Sequence, residues 1–174
     1  RVGNGLDLAN WPMATEAARS SARARLGLGE GFLAVAVGRL AEEKYPLGLV
    51  DAWSKARRLL PDDARLAWVG DGPLRSTMEA HIRALQLEYA FFLAGHSDTV
   101  ADWLHAADVF VLSSRNEGMA NTMLEAMASG LPSAATAVSG ASELLQATGA
   151  GLVVPVGDMG ALADAIVQLA RNPD

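Results

Sequence analysis

A chain of 174 residues, 51% of them apolar, has enough hydrophobic material for one buried core without staples. Its formal net charge of −6 argues against a nucleic-acid binder, which needs a basic face, and the lack of cysteine excludes disulfides and thiolate metal sites. No apolar run approaches the roughly 20 residues that a bilayer-spanning helix needs, so any anion this protein holds is held locally, by a few placed cations and backbone amides.

The start, Arg1-Val2-Gly3-Asn4, has neither an initiator methionine nor a signal-peptide pattern and reads as interior to a longer chain. From there, short apolar runs alternate with longer amphipathic stretches. Ala17–Leu26 is predicted as a helix, followed by strands over Phe32–Val37, Arg65–Val69, Ala90–Leu93, Val109–Ser113, Ser133–Ala135 and Leu152–Val154. Helices are predicted between and after them, over Leu47–Leu60, Leu74–Leu85, Thr99–Ala106, Asn121–Ser129, Ala141–Thr148 and Gly160–Ala170. Pro61-Asp62-Asp63, Gly130-Leu131-Pro132 and Gly149-Ala150-Gly151 punctuate the pattern as turns. The alternation specifies an α/β fold: a Rossmann-like single domain, with a parallel sheet of about six strands and helices on both faces.

In such a sheet, ligands sit beyond the carboxyl ends of the strands. After the first strand, Gly38 permits a sharp exit, and Arg39 and Lys44 bracket a short loop leading into a helix, a reasonable diphosphate cradle. The competing reading pairs both cations with Glu42 and Glu43 on the surface. After the second strand, Gly70-Asp71-Gly72-Pro73 lets backbone approach a ligand, with Pro73 suited to a first helical position. It fails as a dinucleotide fingerprint because no third glycine follows. The sequence has no metal-ligating D-x-D cluster and no nucleophile triad.

The segment from Ser113 to Ala128 is the most informative. Glu117 and Gly118 fall in a turn before the helix that opens near Asn121, and Glu125 is the only charge between Met119 and Gly130. A carboxylate among Leu124, Ala126, Met127 and Ala128 needs partners, such as a sugar diol; alternatively it is a first-turn glutamate favoured by the helix dipole. Eight residues separate the two glutamates, which on one helix would be about 12 Å apart on different faces, so two separate roles follow more naturally than a carboxylate dyad.

Taken together, Asn4-Gly5-Leu6-Asp7, Gly38-Arg39 with Lys44, Gly70-Asp71-Gly72-Pro73, Phe92-Leu93-Ala94-Gly95, the E-x7-E pair Glu117 and Glu125, and Gly157-Asp158 resemble, in order and spacing, the C-terminal half of a GT-B fold. The likeness is to the family 4, "group 1" retaining glycosyltransferases and covers nearly the whole chain. It implies that Arg39 and Lys44 hold the diphosphate of a UDP- or GDP-sugar donor. It further implies that Glu117 contacts the donor sugar and stabilises positive charge at its anomeric carbon, and that Glu125 accepts from the ribose hydroxyls. Backbone N–H groups of Gly118, Met119, Ala120 and Asn121 would face the sugar or phosphate, and the base would lie against Gly95 and His96, near Val100 or Leu104. The family needs no metal and no other cofactor, and implies retention by same-face attack on an oxocarbenium-like centre. Two departures stand out. Tyr45-Pro46 follows Lys44 where a glycine is usual, which implies a stiffer loop, and Ala137-Val138-Ser139-Gly140-Ala141-Ser142-Glu143 lacks the usual aspartate and paired glycine.

The resemblance also implies an acceptor, saccharide or lipid-linked, bound by an N-terminal domain that these residues do not include, so that the fragment binds donor and turns over little. It implies a cytoplasmic location, compatible with peripheral association at the inner face of the membrane, and surface-polysaccharide synthesis as the setting. A nucleotide-binding regulatory module without catalysis and a nucleotide-sugar epimerase are the alternatives; Glu117 and its spacing from Glu125 favour the transferase.

Overall fold

The computed structural model describes residues 13–117 and 121–172. Helix α1 spans Glu16–Leu26; the Thr15 hydroxyl caps its start by accepting from the Ala18 N–H (3.1 Å), and Gly27, at φ 66°, closes its end. Six strands follow: β1 (Leu33–Val37), β2 (Arg65–Val69), β3 (Phe91–Gly95), β4 (Val109–Leu112), β5 (Ser133–Thr136) and β6 (Gly151–Val154). They alternate with α2 (Pro46–Ala56), α3 (Arg75–Ala84), α4 (Val100–Ala106), α5 (Asn121–Ala128), α6 (Ala141–Thr148) and α7 (Met159–Arg171). All pair in parallel, in the order β3-β2-β1-β4-β5-β6.

The predicted elements are all present, with shifted ends. The expected Leu47–Leu60 helix starts one residue earlier, at Pro46, and tightens into a 3₁₀ turn over Arg57–Leu59. The expected Leu74–Leu85 helix begins at Arg75, so Pro73 lies in the preceding turn instead of at a first helical position. β3 runs on to Gly95, which is therefore its last residue and not part of the loop.

The near-continuous apolar runs are explained by burial on both faces of the sheet. Within β1, Ala34 and Ala36 face a core shared with Leu49, Trp53, Met78 and Ile166, while Leu33 and Val35 face a second core with Leu104, Met123 and Leu145. Leu66 and Trp68 of β2 alternate with Ala67 and Val69 in the same sense.

A buried arginine locks α1 to the sheet. Arg23 is only 1% exposed, and every nitrogen of its guanidinium is engaged. Nε donates to Ala106 O (2.9 Å), Nη1 to Gly29 O (2.6 Å) and Gly31 O (2.9 Å), and Nη2 to Asp108 Oδ2 (3.0 Å). That carboxylate also accepts from the Leu33 N–H (2.8 Å) and pairs with Arg19. One charge pair thus fixes the entries of β1 and β4, and a second, Arg25 with Asp102, ties α1 to α4 and holds the Asp102 carboxyl below its ordinary range through the arginine's hydrogen bonds.

The strand order places the site. The chain enters the sheet at β1, winds outward to β3, then returns to the other side of β1 as β4. The helices that follow these two neighbouring strands pack on opposite faces, α2 in one core and α5 in the other, so the adjoining exits of β1 and β4 are the switch point of the sheet, where such folds take their ligands.

Candidate functional site

The β1 exit loop is held by backbone. Gly38 N–H donates to Val69 O (2.9 Å), Leu40 N–H to Asp71 O (3.0 Å) and Leu74 N–H to Leu40 O (3.0 Å), while the Trp68 indole N–H donates to Gly38 O (2.9 Å). The β1 and β2 loops therefore touch main chain to main chain. A Cβ on Gly70 (φ 129°) would stand 2.1 Å from Gly38 O, and one on Gly72 2.5 Å from Leu40 O. Glycine is demanded at both positions by the neighbouring loop, a requirement that exists without any ligand.

A 3₁₀ turn over Glu42–Lys44 then turns Lys44 back across the loop. Its stem passes Gly38, with Cε 3.5 Å from where a Cβ would be. The ammonium donates to Glu117 Oε1, an oxygen that also accepts from the Ser114 hydroxyl (2.8 Å). Ser114 is buried, and its carbonyl accepts from the Thr136 hydroxyl (2.6 Å). The Glu117 side chain is 9% exposed and that of Lys44 22%, so the pair is largely desolvated. The surface alternative, Lys44 against Glu42 or Glu43, is not the arrangement adopted; both glutamates are exposed, and Glu43 instead uses its carbonyl to accept from the Arg115 N–H (2.8 Å). The second Glu117 oxygen has no partner among the described residues. Arg39 lies on the same loop, exposed; its carbonyl accepts from the Ala41 N–H (2.9 Å), while its guanidinium makes no hydrogen bond or ion pair among the described residues.

Glu117 lies outside α5, as its position before Asn121 leads one to expect, and Glu125 is the fifth residue of that helix. The dipole alternative for Glu125 is thereby overturned, because the first turn of α5 carries no acidic residue. Its half-buried carboxylate has no partner among the described residues, and burial pushes its pKa up.

At the β3 end, Gly95 (φ 76°) accepts from the Gly70 N–H (2.7 Å). His96 points into solvent beside Asp98, its side chain 80% exposed. Leu104 is fully buried in the core and presents no surface to a base, which corrects its sequence-based placement; Val100 is half-buried. Asn121 is exposed at the start of α5, while Gly118, Met119 and Ala120, like Asn4-Gly5-Leu6-Asp7, lie outside the described residues. Sequence reasoning passed over Ser114, although its place three residues before Glu117 is the spacing of a local side-chain contact.

A hollow of about 410 Å³ lies elsewhere: Arg19, Phe32, Asp108 and Pro132 line it at the strand entries. Its lining mixes the start of α1 with the ends of α4 and α7 and sets the Glu16 and Asp108 carboxylates beside Arg19, whereas parallel α/β sheets take their ligands at the opposite edge, beyond the strands' carboxyl ends. Among the described residues no group of three or more His, Cys, Asp or Glu gathers that could hold a metal ion, and no helix is long and apolar enough to cross a membrane.

Comparison with known proteins gives a consistent result. A family model described as "Glycosyl transferases group 1" matches residues 31–172. The N-acetyl-alpha-D-glucosaminyl L-malate synthase of Bacillus anthracis is 36% identical over 112 residues, covering 64% of this chain and 29% of its own length. The GDP-mannose-dependent alpha-(1-6)-phosphatidylinositol monomannoside mannosyltransferase of Mycolicibacterium smegmatis is 34% identical over 165 residues, 90% of this chain and 43% of its own. The same fold occurs in Anabaena Alr3699/HepE, solved in complex with UDP, at a TM-score of 0.86 and 24% identity, over 97% of this chain and 47% of that one. The chain thus spans less than half the length of each relative. With the family model matching most of its residues, a parallel six-stranded sheet and a lysine–glutamate pair at the switch point, the chain belongs to the group 1 glycosyltransferases.

Proposed function

We propose that this chain is the donor-binding half of a retaining glycosyltransferase. It holds a nucleoside-diphosphate sugar in the crevice between the β1 and β4 exits. The sugar then passes to a saccharide or lipid-linked acceptor, which we assign to a second domain outside these residues. The observation that carries this reading is the Lys44–Glu117 pair, a cation and a carboxylate held together where a diphosphate and the sugar it carries would lie.

The leaving group is a diphosphate, which departs as a stable anion and needs positive charge against its oxygens more than a proton donor. Lys44 supplies that charge with Arg39, and no metal is required in this scheme. Glu117, anchored through one oxygen by Lys44 and Ser114, keeps the other for the sugar and for positive charge at the anomeric carbon. Glu125 accepts from the ribose diol, which supplies the partners its half-buried carboxylate lacks. The base rests near Gly95 and His96, and the backbone of residues 118–121 faces the sugar or phosphate.

One relative is named as GDP-mannose-dependent and one structural neighbour holds UDP, so both nucleotides are the first to test. Calorimetric titration with UDP, GDP and ADP beside uridine, guanosine and adenosine is expected to show at least one diphosphate bound well above its own nucleoside. If all six ligands fail to bind, or if each nucleoside binds as well as its diphosphate, the reading is wrong.

A further inference from the structure

Tyr45, directly after Lys44, adopts a left-handed backbone conformation (φ 48°, ψ 51°), which side chains with a Cβ disfavour. Three contacts hold it there. Its N–H donates to Glu42 O (3.1 Å), its carbonyl accepts from the Leu49 N–H (3.3 Å), and its ring occupies the space a side chain on residue 48 would need, a Cβ on Gly48 falling 2.2 Å from Tyr45 Cε1. Over the ring lies the Arg115 guanidinium, 3.5 Å from the centroid. Arg115 belongs to the β4 exit loop, two residues before Glu117, and its backbone N–H donates to Glu43 O. The Ser113 hydroxyl, from the same loop, donates to Lys44 O (2.8 Å). The loop carrying Lys44 and the loop carrying Glu117 are therefore joined at three consecutive residues, Glu43, Lys44 and Tyr45.

We propose that the Tyr45 ring, stacked beneath Arg115, is the positioning element that holds the Lys44 ammonium in the crevice for a nucleoside diphosphate. This rests on the function proposed above. An ammonium on a four-carbon stem has many rotamers, and its usefulness to a diphosphate depends on where its backbone is set. The left-handed turn at Tyr45 sends the Lys44 stem back over Gly38, and the stack ties that turn to the segment that carries Glu117. Tyr45 and Arg115 act on the diphosphate through Lys44 without touching it.

The test is calorimetric titration of the 174-residue chain with UDP and GDP, and with uridine and guanosine as matched nucleosides. Tyr45→Gly keeps a residue that accepts positive φ and removes only the ring. It is expected to weaken diphosphate binding about three- to tenfold, the range of a cation–π contact, with nucleoside binding unchanged. Tyr45→Phe keeps the ring and is expected to restore the wild-type ratio. Arg115→Met is expected to weaken diphosphate binding to a similar degree in the wild-type background and to add nothing in the Tyr45→Gly background. An equal loss from Arg115→Met in both backgrounds would mean that the arginine meets the phosphates itself, and would overturn the proposal. So would an unchanged ratio in Tyr45→Gly or in Arg115→Met while Lys44→Met collapses it. If Lys44→Met also leaves the ratio unchanged, Lys44 does not meet the phosphates and the positioning role falls with it; the donor-binding reading beneath fails only if the wild-type chain itself binds no diphosphate above its nucleoside, a distinct result.

Discussion

The Lys44 ammonium lies against the Glu117 carboxylate across 73 residues of sequence, joining the exits of two strands that are neighbours in the sheet. Both side chains are largely out of solvent, so a ligand that takes up one of them changes the hydrogen bonding of the second.

Lys44→Ala is expected to lower nucleoside-diphosphate affinity by roughly 10- to 100-fold, the ~1.5–3 kcal/mol of a lost hydrogen bond to a charged group, while nucleoside affinity holds. Calorimetry with matched UDP and uridine, or GDP and guanosine, checks it. Equal losses for both ligands would take Lys44 out of the phosphate contacts and leave it as a partner of Glu117 alone.

Glu125 carries a stability consequence of known sign. Burial raises its folded pKa above the ordinary glutamate value, so the folded state binds its proton more tightly than the unfolded state does. The stability this confers is present below the unfolded pKa and lost as pH rises through the folded one. Glu125→Gln is therefore expected to raise the melting temperature at pH 7, with the gain vanishing below about pH 4, where both states are protonated. The same change is expected to blunt discrimination between a nucleoside diphosphate and its 2′,3′-blocked analogue. Thermal melts across pH and paired titrations read the two effects; a destabilised neutral variant would mean that the carboxylate has a partner in the folded chain.

Gly70→Ala tests the contact between the β1 and β2 loops. The added methyl meets a backbone oxygen at 2.1 Å in a conformation unfavourable to alanine, so neither a rotamer change nor a small side-chain shift relieves it. A loss of about 3 kcal/mol or more is expected in urea unfolding. A loss under ~1 kcal/mol would show that the loop yields easily.

Arg23→Met removes the guanidinium and leaves the carbonyls of Gly29, Gly31 and Ala106 and the Asp108 carboxylate without it. The expected cost is about 3–5 kcal/mol, the range for breaking a buried pair by removing one partner. Arg25→Ala, whose guanidinium side chain is 54% exposed, is the control and should change stability little. Similar unfolding midpoints for the two variants would contradict the burial argument.

These residues differ in how far local sequence could announce them. Glu117 and Glu125 were legible because a carboxylate before a buried helix, and another within it, violates the apolar pattern around it. The loop at Gly38, Arg39 and Lys44 was legible because glycine and cations follow an apolar run. Arg23 was not, since an arginine in a polar helix reads as solvated; only the carbonyls of the Gly29–Gly31 turn and the Ala106–Asp108 turn, brought to one point by folding, make it a core residue. Tyr45 announced a departure at a turn, but its ring's partner lies 70 residues downstream.

By itself the sequence determined the alternation of strands and helices, the parallel buried sheet and the positions of the loops, because each follows from the local period of burial and from glycine and proline at the breaks. Tertiary structure alone decided the strand order, hence that the β1 and β4 exits lie side by side, that Lys44 meets Glu117, and that Gly70 and Gly72 make room for a neighbouring main chain. Those are pairings between distant segments, and local periodicity records that a face is buried without recording what lies across from it.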